Sequence, residues 1–151
     1  MLSPASQNLG AADAFFSDDN LKKISKLLVN KGFDVKDISE DNIIDLQEFL
    51  VAKRSFLLGL LENQNLLEHD AFTDLLWAVF HLTEELLHRE RDKTRSMQDQ
   101  EHLIGDINRA YNLLIKEWID YMRHLEKAYP YLFSMSKRLN PFFVLRKAEI
   151  A

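Results

Sequence analysis

Only four glycines and three prolines interrupt these 151 residues, and that scarcity limits the fold more than any other feature. A sandwich, a barrel or a doubly wound sheet needs a turn residue every ten positions or so, and long stretches here have none. Few breaks mean few, long elements, and the 46% hydrophobic content supplies the faces such elements must bury. A chain of this length buries roughly 68–70% of its unfolded surface, so it can fold without a disulfide or a structural metal. The expected fold class is all-α: a single-domain bundle of four main helices over 17–145, with a flexible or packing N-terminal arm over 1–16 and a tail over 146–151.

The helical pattern can be followed along the chain. Ser17-Asp18-Asp19-Asn20 offers N-cap chemistry for a short helix carrying Leu21, Ile24, Leu27 and Leu28, closed at Lys31-Gly32. Ser39-Glu40-Asp41 starts a second helix that runs to Leu61 with Ile43, Leu46, Leu50 and Leu57 at helical spacing. Gly59 inside it predicts a close helix contact. The third helix spans Asn65 to His88, and the fourth spans Asp99 to Ala128, burying Leu103, Ile107, Ala110, Leu114, Trp118, Tyr121 and Leu125. Pro130 stops the fourth, and a short C-terminal helix follows to Leu139.

Charge and composition exclude several functions. A net charge of −5 argues against a domain that neutralises phosphates, which needs a clustered basic face, so nucleic acid is not the expected partner. The absence of cysteine removes thiolate catalysis and thiolate metal sites, and fits a cytoplasmic location. The N-terminus lacks the basic and apolar regions of a secretory signal. The longest apolar runs, Phe56–Leu61 and Leu75–Phe80, are six residues each, far below the ~20 needed to insert in a membrane.

Candidate chemistry concentrates on the third and fourth helices. His81, Glu85 and His88 lie at i, i+4 and i+7, which places three metal-ligating side chains on one stripe. If the fourth helix returns antiparallel, its first turns bring Glu101, His102 and Asp106 towards the same end. Two imidazoles and two or three carboxylates can hold a hard or borderline divalent ion. Solvation is the alternative account of such a charged stripe. Glu117 projects nearest the core and needs an arginine, a lysine or a tyrosine as partner, for which Arg54 is one candidate.

Glu84-Glu85-Leu86-Leu87-His88 followed by Glu117-Trp118-Ile119-Asp120 resembles the motifs of MazG-type nucleotide pyrophosphatases, all-helical enzymes with a Glu-Glu-x-x-Glu element and a later Glu-x-x-Asp. The resemblance implies Mg²⁺ or Mn²⁺ held by Glu84, Glu85, Glu117 and Asp120, with a metal-bound water attacking a phosphate. His88 departs from the pattern where a third glutamate belongs. On a simple hairpin the two motifs stand about 20 Å apart. A late start of the fourth helix, near Gly105, or an oligomer interface would be needed to bring them together.

Phe72 to Glu85, Glu117 to Met122, Tyr129 to Ser134 and Asn140-Pro141-Phe142 resemble a helical region of uncharacterised bacterial and archaeal proteins, some of which are similar to small cation channels with this region as a cytoplasmic part. The resemblance implies a module rather than a reaction. Together with Trp77 on a polar face and the aromatic residues Tyr129, Tyr131, Phe133, Phe142 and Phe143, it leads to an expected role in self-association, as a homodimer, or in binding another protein. On that reading no cofactor is needed.

Overall fold

The computed structural model of the chain describes residues 17–30, 32, 34–89 and 96–139. Among the described residues every regular element is a helix: α1 (Asp18–Asn30), α2 (Glu40–Ala52), α3 (Arg54–Leu61), α4 (Gln64–Leu67), α5 (Asp70–Leu87), α6 (Met97–Ala128) and α7 (Pro130–Arg138). The arm over 1–16 and the tail over 146–151 lie outside the described residues, as do Phe142 and Phe143. The chain forms two compact units. One runs from Gly32 to Glu117, and the other joins α1 to the segment that begins at Trp118.

Local chemistry sets the helix boundaries. Ser39 is extended (φ −67°, ψ 153°) and its hydroxyl accepts the Asn42 N–H at 3.3 Å, while Glu40 and Asp41 complement the helix dipole of α2. The Ser96 hydroxyl accepts the Asp99 N–H at 3.1 Å, so α6 begins two residues earlier than the sequence pattern places it. Pro130 occupies the first turn of α7, where its missing N–H has no intrahelical partner to lose. Gly32, with φ of +64°, takes the left-handed conformation that glycine adopts without steric cost.

The second expected helix is interrupted at Lys53. No proline or glycine marks the break. The Lys53 N–H is shared between Phe49 O (3.2 Å) and Leu50 O (3.0 Å), which tightens the last turn of α2 before α3 begins. Both halves then pack on α5. The core of the first unit gathers Ile43 and Leu50 of α2, Ala78, Leu82 and Leu86 of α5, and Leu103 and Ala110 of α6. Two polar ties reinforce it. Gln47 Nε2 donates to the Leu86 carbonyl, which also accepts the Arg89 N–H at 3.3 Å, and Arg54 Nε donates to Glu84 Oε1. Asn108 of α6 clamps the segment before α2: its Oδ1 accepts the Val35 N–H at 2.8 Å and its Nδ2 donates to the Val35 carbonyl at 3.0 Å.

Two expectations about the helices need correction. An ideal Cβ at Gly59 or at Gly105 would meet nothing within 4 Å, so neither glycine marks a close helix contact. The inward stripe of α6 also shifts. Leu103, Ala110 and Leu125 are buried as expected, but Leu114 and Tyr121 are exposed, and Ile115, Ile119 and Met122 are buried instead. The reason is that α6 serves two units with separate cores, so no single heptad stripe faces inward along its length. Among the described side chains of the second unit, Leu21, Ile119, Met122, Leu125 and Phe133 are buried.

Candidate metal centre

Helix α5 carries His81 and Glu85 four residues apart, and α6 carries His102 and Asp106 four residues apart. Each pair therefore projects from one face of its helix. The two helices run antiparallel here, with His81 opposite Asp106 and Glu85 opposite His102. Four potential ligand atoms converge, all within 4.8 Å of one another. His81 Nε2 lies 3.4 Å from Asp106 Oδ2 and 4.0 Å from Glu85 Oε2; His102 Nε2 lies 3.4 Å from Asp106 Oδ2 and 3.8 Å from Glu85 Oε2. Ligands held at 2.0–2.1 Å around a tetrahedral ion stand about 3.3–3.4 Å apart, so small side-chain shifts complete the geometry.

Burial divides the group by chemistry. The imidazoles are 60% and 65% exposed, whereas the Glu85 and Asp106 side chains are 22% and 16% exposed. Glu85 Oε2 and Asp106 Oδ2 are buried and accept no hydrogen bond among the described residues. Two buried carboxylate oxygens pointing at one space repel each other unless a proton or a cation lies between them. Burial, followed by proton sharing with Asp106 and repulsion from it, holds the Glu85 carboxyl above the usual glutamate range, against the opposing pull of His102 and Arg89.

Arg89 faces this carboxylate as an ion-pair partner, and its Nη1 makes no hydrogen bond among the described residues. Its guanidinium lies 3.6 Å from Glu85 Oε1 and donates to the Asp99 carbonyl at 3.1 Å, bridging the end of α5 to the start of α6. Glu85 thereby turns one oxygen to the arginine and the other to the cluster, the arrangement by which outer partners fix a metal ligand. Arg89 is not among the residues that the sequence pattern singles out. Its spacing of four from Glu85 is the signal that could have found it. No comparable spacing marks Asn108.

The remaining candidates are placed elsewhere. Glu84 pairs with Arg54, and the guanidinium holds its carboxyl below the ordinary range by hydrogen bonding and charge. Arg54 is thus the partner of Glu84, not of Glu117. His88 Nδ1 is 2.8 Å from its own helix's Glu84 carbonyl and lies outside the four-residue group. Glu117 stands eleven residues beyond Asp106 on α6, about 16 Å at helical rise. Asp120 belongs to the second unit and pairs with Arg123 at 3.8 Å. Helix α6 runs unbroken through Gly105, so the late start that would unite the MazG-like motifs is absent. Trp77, Tyr129 and Tyr131 are exposed, whereas Phe133 is buried with the Lys137 ammonium 4.9 Å over its ring.

Fold and cluster together define an all-helical domain with a mixed imidazole and carboxylate group at a helix hairpin. Residues 3–138 match the family described as "Uncharacterized protein MJ1433, C-terminal helical domain", and the chain belongs to that family. It is 43% identical over 127 residues to Uncharacterized protein MJ1433 of Methanocaldococcus jannaschii, across 84% of this chain and 51% of that protein. The chain therefore spans about half the length of this relative. Neither match bears on ion channels or on MazG-type pyrophosphatases. No solved structure matches the chain. Among the described residues no helix is long and apolar enough to cross a membrane.

Proposed function

We propose that this chain is a metal-stabilised helical domain in which His81, Glu85, His102 and Asp106 hold one borderline divalent ion, such as Zn²⁺, Mn²⁺ or Fe²⁺, across the α5–α6 hairpin. The observation that carries the reading is the pair of buried, unsatisfied carboxylate oxygens facing two imidazole nitrogens. Imidazole ligands favour such ions over Mg²⁺. Four protein ligands fill a tetrahedral shell, which is the pattern of structural rather than hydrolytic sites. The ion would staple the two helices on either side of the connector at 90–95.

Thermal melts with and without Zn²⁺ test this. At a free metal concentration 100-fold above Kd, the gain is about 2.7 kcal/mol, which raises Tm by about 5–10 °C for a chain of this size. The effect depends on pH. The folded-state pKa of Glu85 is raised above its unfolded value, so the metal-free fold binds the extra proton and loses stability as pH rises from the ordinary glutamate range through the raised one. Only the ionised carboxylate ligates, so the Zn²⁺-induced shift grows over the same interval. A Tm unmoved by Zn²⁺, Mn²⁺ and Fe²⁺ at every pH contradicts the proposal.

A second reading, a module that self-associates or binds a protein partner, draws support from Trp77, which is 55% exposed on α5 with the Phe80 ring edge-on at 6.3 Å. Sedimentation over a concentration series checks it. Self-association predicts a dimer that Trp77→Ala weakens, and a monomer at all concentrations excludes the homodimer.

A further inference from the structure

The first unit also contains a cavity of about 720 Å³, bounded by α2, α3, α5 and α6 on the face away from Trp77. Its volume is within the range of small-molecule sites. The walls are leucine, phenylalanine, valine, isoleucine and alanine, with Tyr111 as a polar exception. Among the residues that line it, Lys53 carries the only charge, in a chain whose acidic residues outnumber its basic ones by 24 to 19. The Lys53 ammonium lies 6.0 Å from the centre of the Phe49 ring, and Phe49, Phe56 and Leu114 form an exposed apolar rim. The break between α2 and α3 falls at this lysine.

We infer that this cavity binds a single-chain amphiphile, with its hydrocarbon tail along the apolar walls and its anionic head at Lys53. The lining has one cation and no carboxylate, so it matches one anionic head on an otherwise apolar body. A second copy of the chain is a poorer occupant. A two-fold dimer would press this concavity onto itself and leave a void between the copies, whereas protein contacts are close-packed. The site is separate from the proposed metal ligands, none of which line it.

Calorimetry with decanoate, dodecanoate, dodecyl phosphate and dodecanol, each below its micelle concentration, tests the inference. The expected result is one site per chain, about fourfold tighter binding per added methylene, and both anions ahead of the alcohol. Preference for the carboxylate assigns a fatty acid, and preference for the phosphate assigns an alkyl or isoprenyl phosphate. Lys53→Met should remove the advantage of the anions while keeping the chain-length dependence. Ala52→Trp, at an exposed position on the lining, should block binding without disturbing the core. Absence of saturable binding, equal affinity for alcohol and anions, or binding indifferent to Ala52→Trp would overturn the assignment. So would a dimer that covers the rim and excludes every amphiphile.

Discussion

Replacing His102 with alanine is expected to weaken Zn²⁺ binding at least about 100-fold, because changes to groups that merely orient a ligand already cost 10–100-fold. The side chain is 65% exposed and belongs to no core, so the metal-free domain should keep its fold and its melting temperature. Calorimetric titration reads the first effect and a melt without metal reads the second. Unchanged affinity would remove His102 from the ligand set. Asp106→Asn should weaken binding as well, but this change also relieves the repulsion with Glu85, so the metal-free protein should become more stable. Opposite effects on affinity and on metal-free stability distinguish a ligand from a residue that only supports the fold.

The second large effect concerns the scaffold. Leu86 is fully buried in the core that joins α2, α5 and α6, immediately after Glu85. Leu86→Ala removes that packing and leaves a cavity, at a cost of about 3–5 kcal/mol. Its carbonyl still receives Gln47, so the loss comes from the side chain alone. Denaturant titration checks the magnitude, and a cost below about 1 kcal/mol would show that the core closes over the gap. Saturating Zn²⁺ should restore part of the loss, because all four proposed ligands remain in place.

Much of this architecture was legible because local chemistry dictates it. Ser39 with its acidic first turn, and Pro130 at a helix start, announce boundaries that no tertiary contact needs to settle. The break at Lys53 was not legible, since neither residue type nor spacing marks it and it serves the packing of both halves on α5. The stripe of α6 misled at Leu114 and Tyr121, because a period read from sequence assumes one partner surface and this helix has two. The convergence of His81 and Glu85 with His102 and Asp106 could be anticipated, since each helix repeats a histidine and an acid at i and i+4 and a short connector makes the helices antiparallel. The MazG-like grouping failed on distance. Its residues match a motif in order, but Glu84 is taken by Arg54 and Glu117 stands too far along α6.

X-ray absorption at the zinc edge, on protein loaded with one equivalent of Zn²⁺, reads the proposed ligand set itself. The expected spectrum is that of a four-coordinate ion with ligands at about 2.0–2.1 Å and scattering from two imidazole rings, reduced to one ring in His81→Ala and in His102→Ala. A shell of oxygen ligands without imidazole, or a spectrum that neither substitution alters, would contradict it.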